Sequence, residues 1–157
     1  MTAKRDSPRV YIPPPLVYAG IFLISFLLQK FLPINNSFFT TSTSTIIGIS
    51  FIVLGLILDM PAIRQFVTTK NTLVTIKPAT TLVTSGIYTK SRNPMYLGLL
   101  LIYAGVALII GNWWTIILIP VLISIVAYFI IKPEERYLER AFGKDYLNYK
   151  QEVRRWI

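Results

Sequence analysis

MYLGLLLIYAGVALIIGNWWTIILIPVLISIVAYFII, residues 95–131, contains no charged side chain, and Gly111-Asn112 divides it into two apolar runs. A helix needs roughly 17 to 25 apolar residues to cross the hydrocarbon core of a bilayer. Both runs approach or meet that length, and a two-residue connection leaves them no arrangement except an antiparallel hairpin. Upstream, Leu16–Leu32 lies between Pro13-Pro14-Pro15 and Pro33, natural boundaries for a helix. A further apolar stretch opens near Thr43 and closes at Asp59-Met60-Pro61. The expectation is an all-α integral membrane protein of one domain. It has four transmembrane helices, at about 16–32, 43–60, 95–110 and 113–131.

Composition agrees with this layout. Of the 157 residues, 54% are hydrophobic, and the mean hydropathy of +0.57 is too high for an ordinary soluble domain. Cysteine and histidine are both missing, which excludes disulfides, thiolate nucleophiles and the commonest metal ligands and general base. No metal site is expected. The net charge of +9 is explained by membrane orientation, since Lys and Arg collect in cytoplasmic loops, and nucleic acid is not an expected partner. Lys4, Arg5 and Arg9 precede the first span, whose flanks lack a small-residue cleavage pattern, so it is read as a retained anchor. Arg64, Lys70, Lys77, Lys90 and Arg92 lie between the second and third spans, and seven more Lys and Arg follow Ile131. The opposite loops have only Lys30 nearby. Both termini and the 61–94 loop are therefore expected in the cytoplasm, with Trp113 and Trp114 at the far interface.

Function should then reside in two cytoplasmic segments. Residues 61–94 are polar, and Thr72-Leu73-Val74-Thr75-Ile76 alternates like a strand. From Lys132 onward, apolar residues at 138, 142, 146, 149, 153 and 156 follow helical spacing, and Gly143 divides the tail into two helices. That tail either rests on lipid headgroups or caps a site. Taken singly, the chemistry-bearing residues have ordinary explanations. Glu134 and Glu135 directly follow an apolar span, where carboxylates are costly unless cations or ligands meet them, yet Lys132 and Arg136 flank them. Arg92 suits a headgroup anchor, and Tyr88, Tyr96, Tyr103 and Tyr137 suit an interfacial belt.

Their order along the chain is more informative. Thr81-Leu82-Val83-Thr84-Ser85-Gly86-Ile87-Tyr88, Ser91-Arg92-Asn93-Pro94-Met95-Tyr96-Leu97-Gly98, Glu134-Glu135 and Phe142-Gly143-Lys144-Asp145-Tyr146-Leu147-Asn148-Tyr149 closely resemble, in order and spacing, the isoprenylcysteine carboxyl methyltransferase family. The resemblance covers about residues 72–157 and is of the prokaryotic type, related to phospholipid methyltransferases. It implies an S-adenosylmethionine-dependent carboxyl O-methyltransferase-like enzyme in a prokaryotic cytoplasmic membrane. The acceptor would be a lipophilic or prenylated substrate, and S-adenosylhomocysteine the second product. By the same resemblance Leu82, Val83, Tyr88, Asn93, Pro94, Met95, Tyr96 and Glu134 bind the cofactor. Glu134, Glu135 and Arg92 serve catalysis, and the C-terminal helices cap the pocket. Asn93 and Thr80 stand where eukaryotic members carry histidine, and Ile130 where they carry an arginine implicated in the substrate carboxylate. These departures weigh against a prenylcysteine carboxylate as the acceptor.

Chemistry is compatible with that pocket. Glu134 can accept charge-assisted hydrogen bonds from a ribose or an ammonium, an aromatic face attracts a sulfonium, and Asn93 can pair with an adenine edge. Methyl transfer to a carboxylate needs no base, whereas an amine must first lose a proton, for which Glu134 or Glu135 is the candidate. N-methylation of a phospholipid amine and a non-catalytic module that retains the pocket are the alternative readings.

Overall fold

Proline and glycine placement explains where most helices begin and end. In the computed structural model, which describes residues 7–8, 10–69 and 79–156, the first helix, α1, spans Pro14–Phe31. Its two leading prolines occupy positions whose N–H groups would be unpaired in any case. A short 3-10 turn, Ser37–Thr40, leads to α2, Ser42–Thr68, capped by the Thr41 side chain, which accepts from the Ser44 amide. Helix α3 runs Pro94–Ile110 and ends on Gly111 in the left-handed conformation (φ +80°), where glycine carries no steric penalty. The side chain of Asn112 then accepts from the Trp114 amide and opens α4, Trp113–Ile117. All described residues are helical or irregular, without strands. The Thr72–Ile76 strand lies outside the described residues.

Two helix limits differ from the sequence expectation. Helix α2 does not stop at Asp59-Met60-Pro61 but continues through Pro61 to Thr68, so the connecting loop is shorter than 61–94. An interior proline forfeits one backbone bond. Here the extra turns are held by burial: Ala62 is fully buried and Phe66 packs on the same cluster, with Val83, Tyr88, Tyr146 and Tyr149. The 113–131 span is also not one regular helix. It divides at Leu118 into α4 and α5, Ile119–Val126, because Pro120 has no N–H to offer the carbonyl of Ile116. A π-helical turn, Ala127–Ile131, then passes without interruption into α6, Lys132–Phe142. That wider turn resets the helical register just ahead of Glu134 and Glu135. Gly143 (φ +52°) separates α6 from α7, Lys144–Glu152, as the sequence implies.

Helices α2 and α3 pair most intimately. A Cβ on Gly48 would lie 2.8 Å from the Gly105 carbonyl, and one on Gly55 would lie 2.7 Å from that of Gly98. The two backbones thus approach antiparallel at seven-residue intervals, as small residues permit in membrane helix pairs. Helix α1 is joined to α4 and the hairpin turn by polar contacts. Ser25 Oγ lies 3.0 Å from Thr115 Oγ1, and Asn112 Nδ2 donates to Ser25 Oγ at 3.3 Å. The Trp113 and Trp114 indoles donate to the carbonyls of Asn35 and Leu32, so they fasten the loop after α1.

The apolar surface faces outward. Leu16, Leu23, Leu27, Ile46, Val53, Ile57, Val121 and Phe129 are exposed, and only 22% of the most apolar stretch of α1 and of α2 is buried. These two helices are long and apolar enough to cross a membrane, and α3 is a shorter apolar helix. Helices in lipid keep their apolar side chains outside, because no water drives them inward.

Candidate active site

The π turn and the first turn of α6 bring two carboxylates to the end of the bundle where α3 begins. There α2, the 79–93 segment, α6 and α7 enclose a cavity of about 320 Å³. Leu82, Val83, Tyr88, Arg92, Asn93, Pro94, Met95, Tyr96, Glu134 and Glu135 all line it. The structure therefore brings together the ten candidate cofactor-binding and catalytic residues, although these positions are up to 53 apart along the chain. Tyr137, Leu138, Tyr146 and Tyr149 complete the wall from the C-terminal helices. The helical periodicity of the tail is thus that of a packed face: Leu138, Phe142, Tyr146, Tyr149 and Val153 share one apolar cluster with Ala62 and Val83. Phe142 belongs to that cluster but not to the cavity wall.

The two adjacent glutamates are treated very differently. Glu135 is a fully compensated anion. Arg155 grips it with Nε at 3.0 Å and Nη2 at 2.7 Å, and Arg92 Nη1 lies 3.2 Å from Oε1. Glu134 accepts from a neutral partner, the Tyr96 hydroxyl, which donates to Oε2 at 2.6 Å. Burial raises its carboxyl to about 7, an effect the Tyr96 hydrogen bond opposes and the neighbouring Glu135 charge reinforces. Burial, with Glu134 adding to it, pushes the Tyr88 phenol well above its ordinary range, and burial does the same at Tyr146. Both therefore remain neutral at physiological pH.

The chain terminus is strapped across the entrance to α3. The Arg92 amide donates to the Arg154 carbonyl at 3.0 Å. Ser91 Oγ and Asn93 Nδ2 donate to the Arg155 carbonyl at 3.3 and 3.1 Å. One amide hydrogen of Asn93 is therefore used within the protein. Tyr149 donates from its hydroxyl to the Tyr88 carbonyl at 2.7 Å, and Tyr137 accepts from the Ala79 amide at 2.9 Å.

Two functional-looking residues escaped the sequence reading. Arg155 counted there only as a tail cation. Asp59, at the expected end of a span, sits inside α2, is 6% exposed and lines the cavity. It is the sole acidic residue between Asp6 and Glu134, and an acid amid an apolar run is the signal that marks it. Among the described residues, Asp59 Oδ1 and Arg92 Nε are buried polar atoms of the cavity wall with no hydrogen-bond partner.

An outward-apolar helical bundle enclosing a cavity with carboxylates, arginine and tyrosines defines a membrane protein built around a polar-ended ligand site. The phospholipid methyltransferase family matches residues 43–145, about two thirds of the chain, and the chain belongs to this family of membrane methyltransferases, which also embraces the isoprenylcysteine carboxyl methyltransferase-like proteins. A protein of Haemophilus influenzae, described only as uncharacterized, is 44% identical over 63 residues, 40% of this chain and the whole of that relative. No solved structure matches the chain.

Proposed function

We propose that the cavity binds S-adenosylmethionine and that the protein transfers its methyl group to a lipophilic acceptor at the cytoplasmic face of a prokaryotic membrane. The observation that carries this reading is the convergence of Leu82, Val83, Tyr88, residues 92–96, Glu134 and the aromatic wall of α6 and α7 on one cavity. The residues suit the group. Arg92 Nε, a buried donor without a partner, would meet the amino-acid carboxylate, and Glu134 would accept from the ribose or the ammonium. Tyr88, Tyr96 and Tyr149 supply faces for a sulfonium or an adenine, a contribution of about 0.5 to 2 kcal/mol for the cation. Bound there, the donor supplies an electrophilic methyl group. The protein's part is to align acceptor and donor and to exclude water, effects worth several kcal/mol. Glu135, already held by two arginines, acts in this reading by positioning Arg92 and the tail.

The acceptor's chain has a route in. An open, almost wholly apolar groove between α1 and α3, lined by Pro15, Tyr18, Phe22, Leu99 and Tyr103 among others, shares Pro15 and Leu99 with the cavity. A hydrocarbon tail lying there would place its head at the polar end without leaving the bilayer.

Calorimetric titration of the detergent-solubilised protein with S-adenosylhomocysteine tests the reading, and absence of binding would overturn it. Ionised Glu134 attracts a cation and its protonated form does not. With its carboxyl near 7, affinity for S-adenosylmethionine should therefore rise as pH increases from 6 to 8. Glu134→Gln should weaken binding at least several-fold at pH 8, on the order of 1 kcal/mol or more for a charge-assisted bond, and flatten that profile. A variant with wild-type affinity and profile would remove Glu134 from the binding site.

The topology proposed with this function has four spans and both termini in the cytoplasm. The chain has no cysteine, so single cysteines report cleanly. An impermeant thiol reagent applied outside intact cells should label a cysteine at Asn36 and spare those at Lys90 and Lys144. The opposite pattern would invert the topology.

A further inference from the structure

We propose that the outer face of α6 is a binding site for an anionic phospholipid, with Lys132 and Arg136 holding the phosphate and Tyr128 and Phe129 receiving the upper part of an acyl chain. The site is separate from the cavity, whose wall includes neither cation, and it stands whether or not that cavity binds S-adenosylmethionine. Helix α5, the π turn and α6 follow one another without a break, so Val121, Tyr128, Lys132 and Arg136 succeed each other along one side at helical spacing. Val121, Tyr128 and Phe129 are exposed apolar side chains. Lys132 is the first charged residue after the long run that begins at Met95. Its Nζ sits 3.7 Å from the centroid of the Tyr128 ring, a cation–π contact that holds the ammonium at the rim of the apolar stripe. Arg136 is exposed and lies one turn later, about 6 Å along the axis.

Charge and position together specify the ligand. Two cations one turn apart repel each other, and among the described residues no carboxylate pairs with either. The acids of α6 are committed elsewhere: Glu134 and Glu135 line the cavity, and Glu139 is bound by Lys150 at 2.6 Å. The outer side of the helix therefore presents positive charge directly beside an apolar stripe. A free phosphate would meet the cations and make no use of the stripe, and a zwitterionic lipid would bring a cation of its own toward them. An anionic phospholipid satisfies both, with its phosphate between Lys132 and Arg136 and its chain running along Phe129 and Val121. Each cation near an anionic lipid surface contributes about fivefold in affinity. Glu134 projects from the opposite side of the same turns, so a lipid bound here also steadies the helix that carries it.

Native mass spectrometry of the full chain in neutral detergent, titrated with dioleoylphosphatidylglycerol or dioleoylphosphatidylcholine, tests this. Wild type should bind phosphatidylglycerol at least tenfold more tightly than phosphatidylcholine. Arg136→Gln alone should lose about fivefold of that preference, and Lys132→Gln with Arg136→Gln should lose nearly all of it. Lys132→Arg with Arg136→Lys keeps both charges and should retain the preference, with circular dichroism following the fold of each variant. Arg64 and Lys90 are exposed cations at the same end of the bundle, and Arg64→Gln with Lys90→Gln should leave the preference within about twofold of wild type. An equal loss in that control pair would make the attraction one of diffuse charge and overturn the inference. Wild-type indifference between the two lipids would overturn it as well. So would displacement of phosphatidylglycerol by equimolar inorganic phosphate, which would make this a site for a free anion.

Discussion

Truncation after Glu139 is expected to abolish S-adenosylmethionine binding, with an affinity loss of at least 100-fold, about 2.7 kcal/mol, while the apolar helices still insert. The deletion removes Tyr146 and Tyr149 from the cavity wall. It takes Arg155 from Glu135 and removes the carbonyls that hold the Arg92 amide, Ser91 and Asn93. What remains is a cavity open to water on one side, and an electrostatic contact exposed to water is worth a fraction of its enclosed value. Calorimetry on the truncated protein, with helicity followed by circular dichroism, measures this directly. If the tail rested on headgroups, affinity in detergent would stay within about threefold of wild type. That outcome would remove the lid from the site.

Replacing Glu135 by Gln should cost stability more than any other single substitution in the cavity wall. The side chains of Glu135 and Arg92 are each 8% exposed, and that of Arg155 is 34% exposed. Removing one partner of a buried ion pair typically costs about 3 to 5 kcal/mol, because the surviving charge is left desolvated. Arg155 can turn partly to solvent, so a loss of about 2 to 3 kcal/mol is expected here. At about 2 to 4 °C per kcal/mol for a chain of this size, the melting temperature should fall by roughly 4 to 12 °C. The double substitution Glu135→Gln with Arg155→Gln should recover part of the loss, since it removes one stranded cation. An unchanged melting temperature with reduced turnover would instead make Glu135 a participant in the reaction.

The carboxylates show how far residue order carries. Glu134 and Glu135 are neighbours with identical chemistry, and their place after an apolar span marks them as a pair requiring partners. Their different fates depend on Arg155, twenty positions later, and on Tyr96, thirty-eight earlier. Local sequence contains no term for either contact. Asp59 was legible in principle as an acid within an apolar run, but the adjacent Pro61 made it look like a helix terminus. The glycines of α2 and α3 carry a similar signal. Gly48 and Gly55, and Gly98 and Gly105, share a seven-residue spacing that fits two closely packed helices.

The sequence by itself determined the helical, apolar character of this protein, the hairpin at Gly111-Asn112, the division of the tail at Gly143 and a core set of the residues that line the cavity. Each of these depends on local covalent properties: apolar runs, glycine's freedom at positive φ, and motifs carried as short contiguous blocks. Only the tertiary structure decided that α2 continues past Pro61 and that the helix after Asn112 is broken and then widened into a π turn. It alone decided that Glu135 is neutralised by two arginines, whereas Glu134 and Asp59 meet no cation among the described residues. Burial and ion pairing depend on side chains brought together from distant parts of the chain, so their energies exist only once the helices have packed.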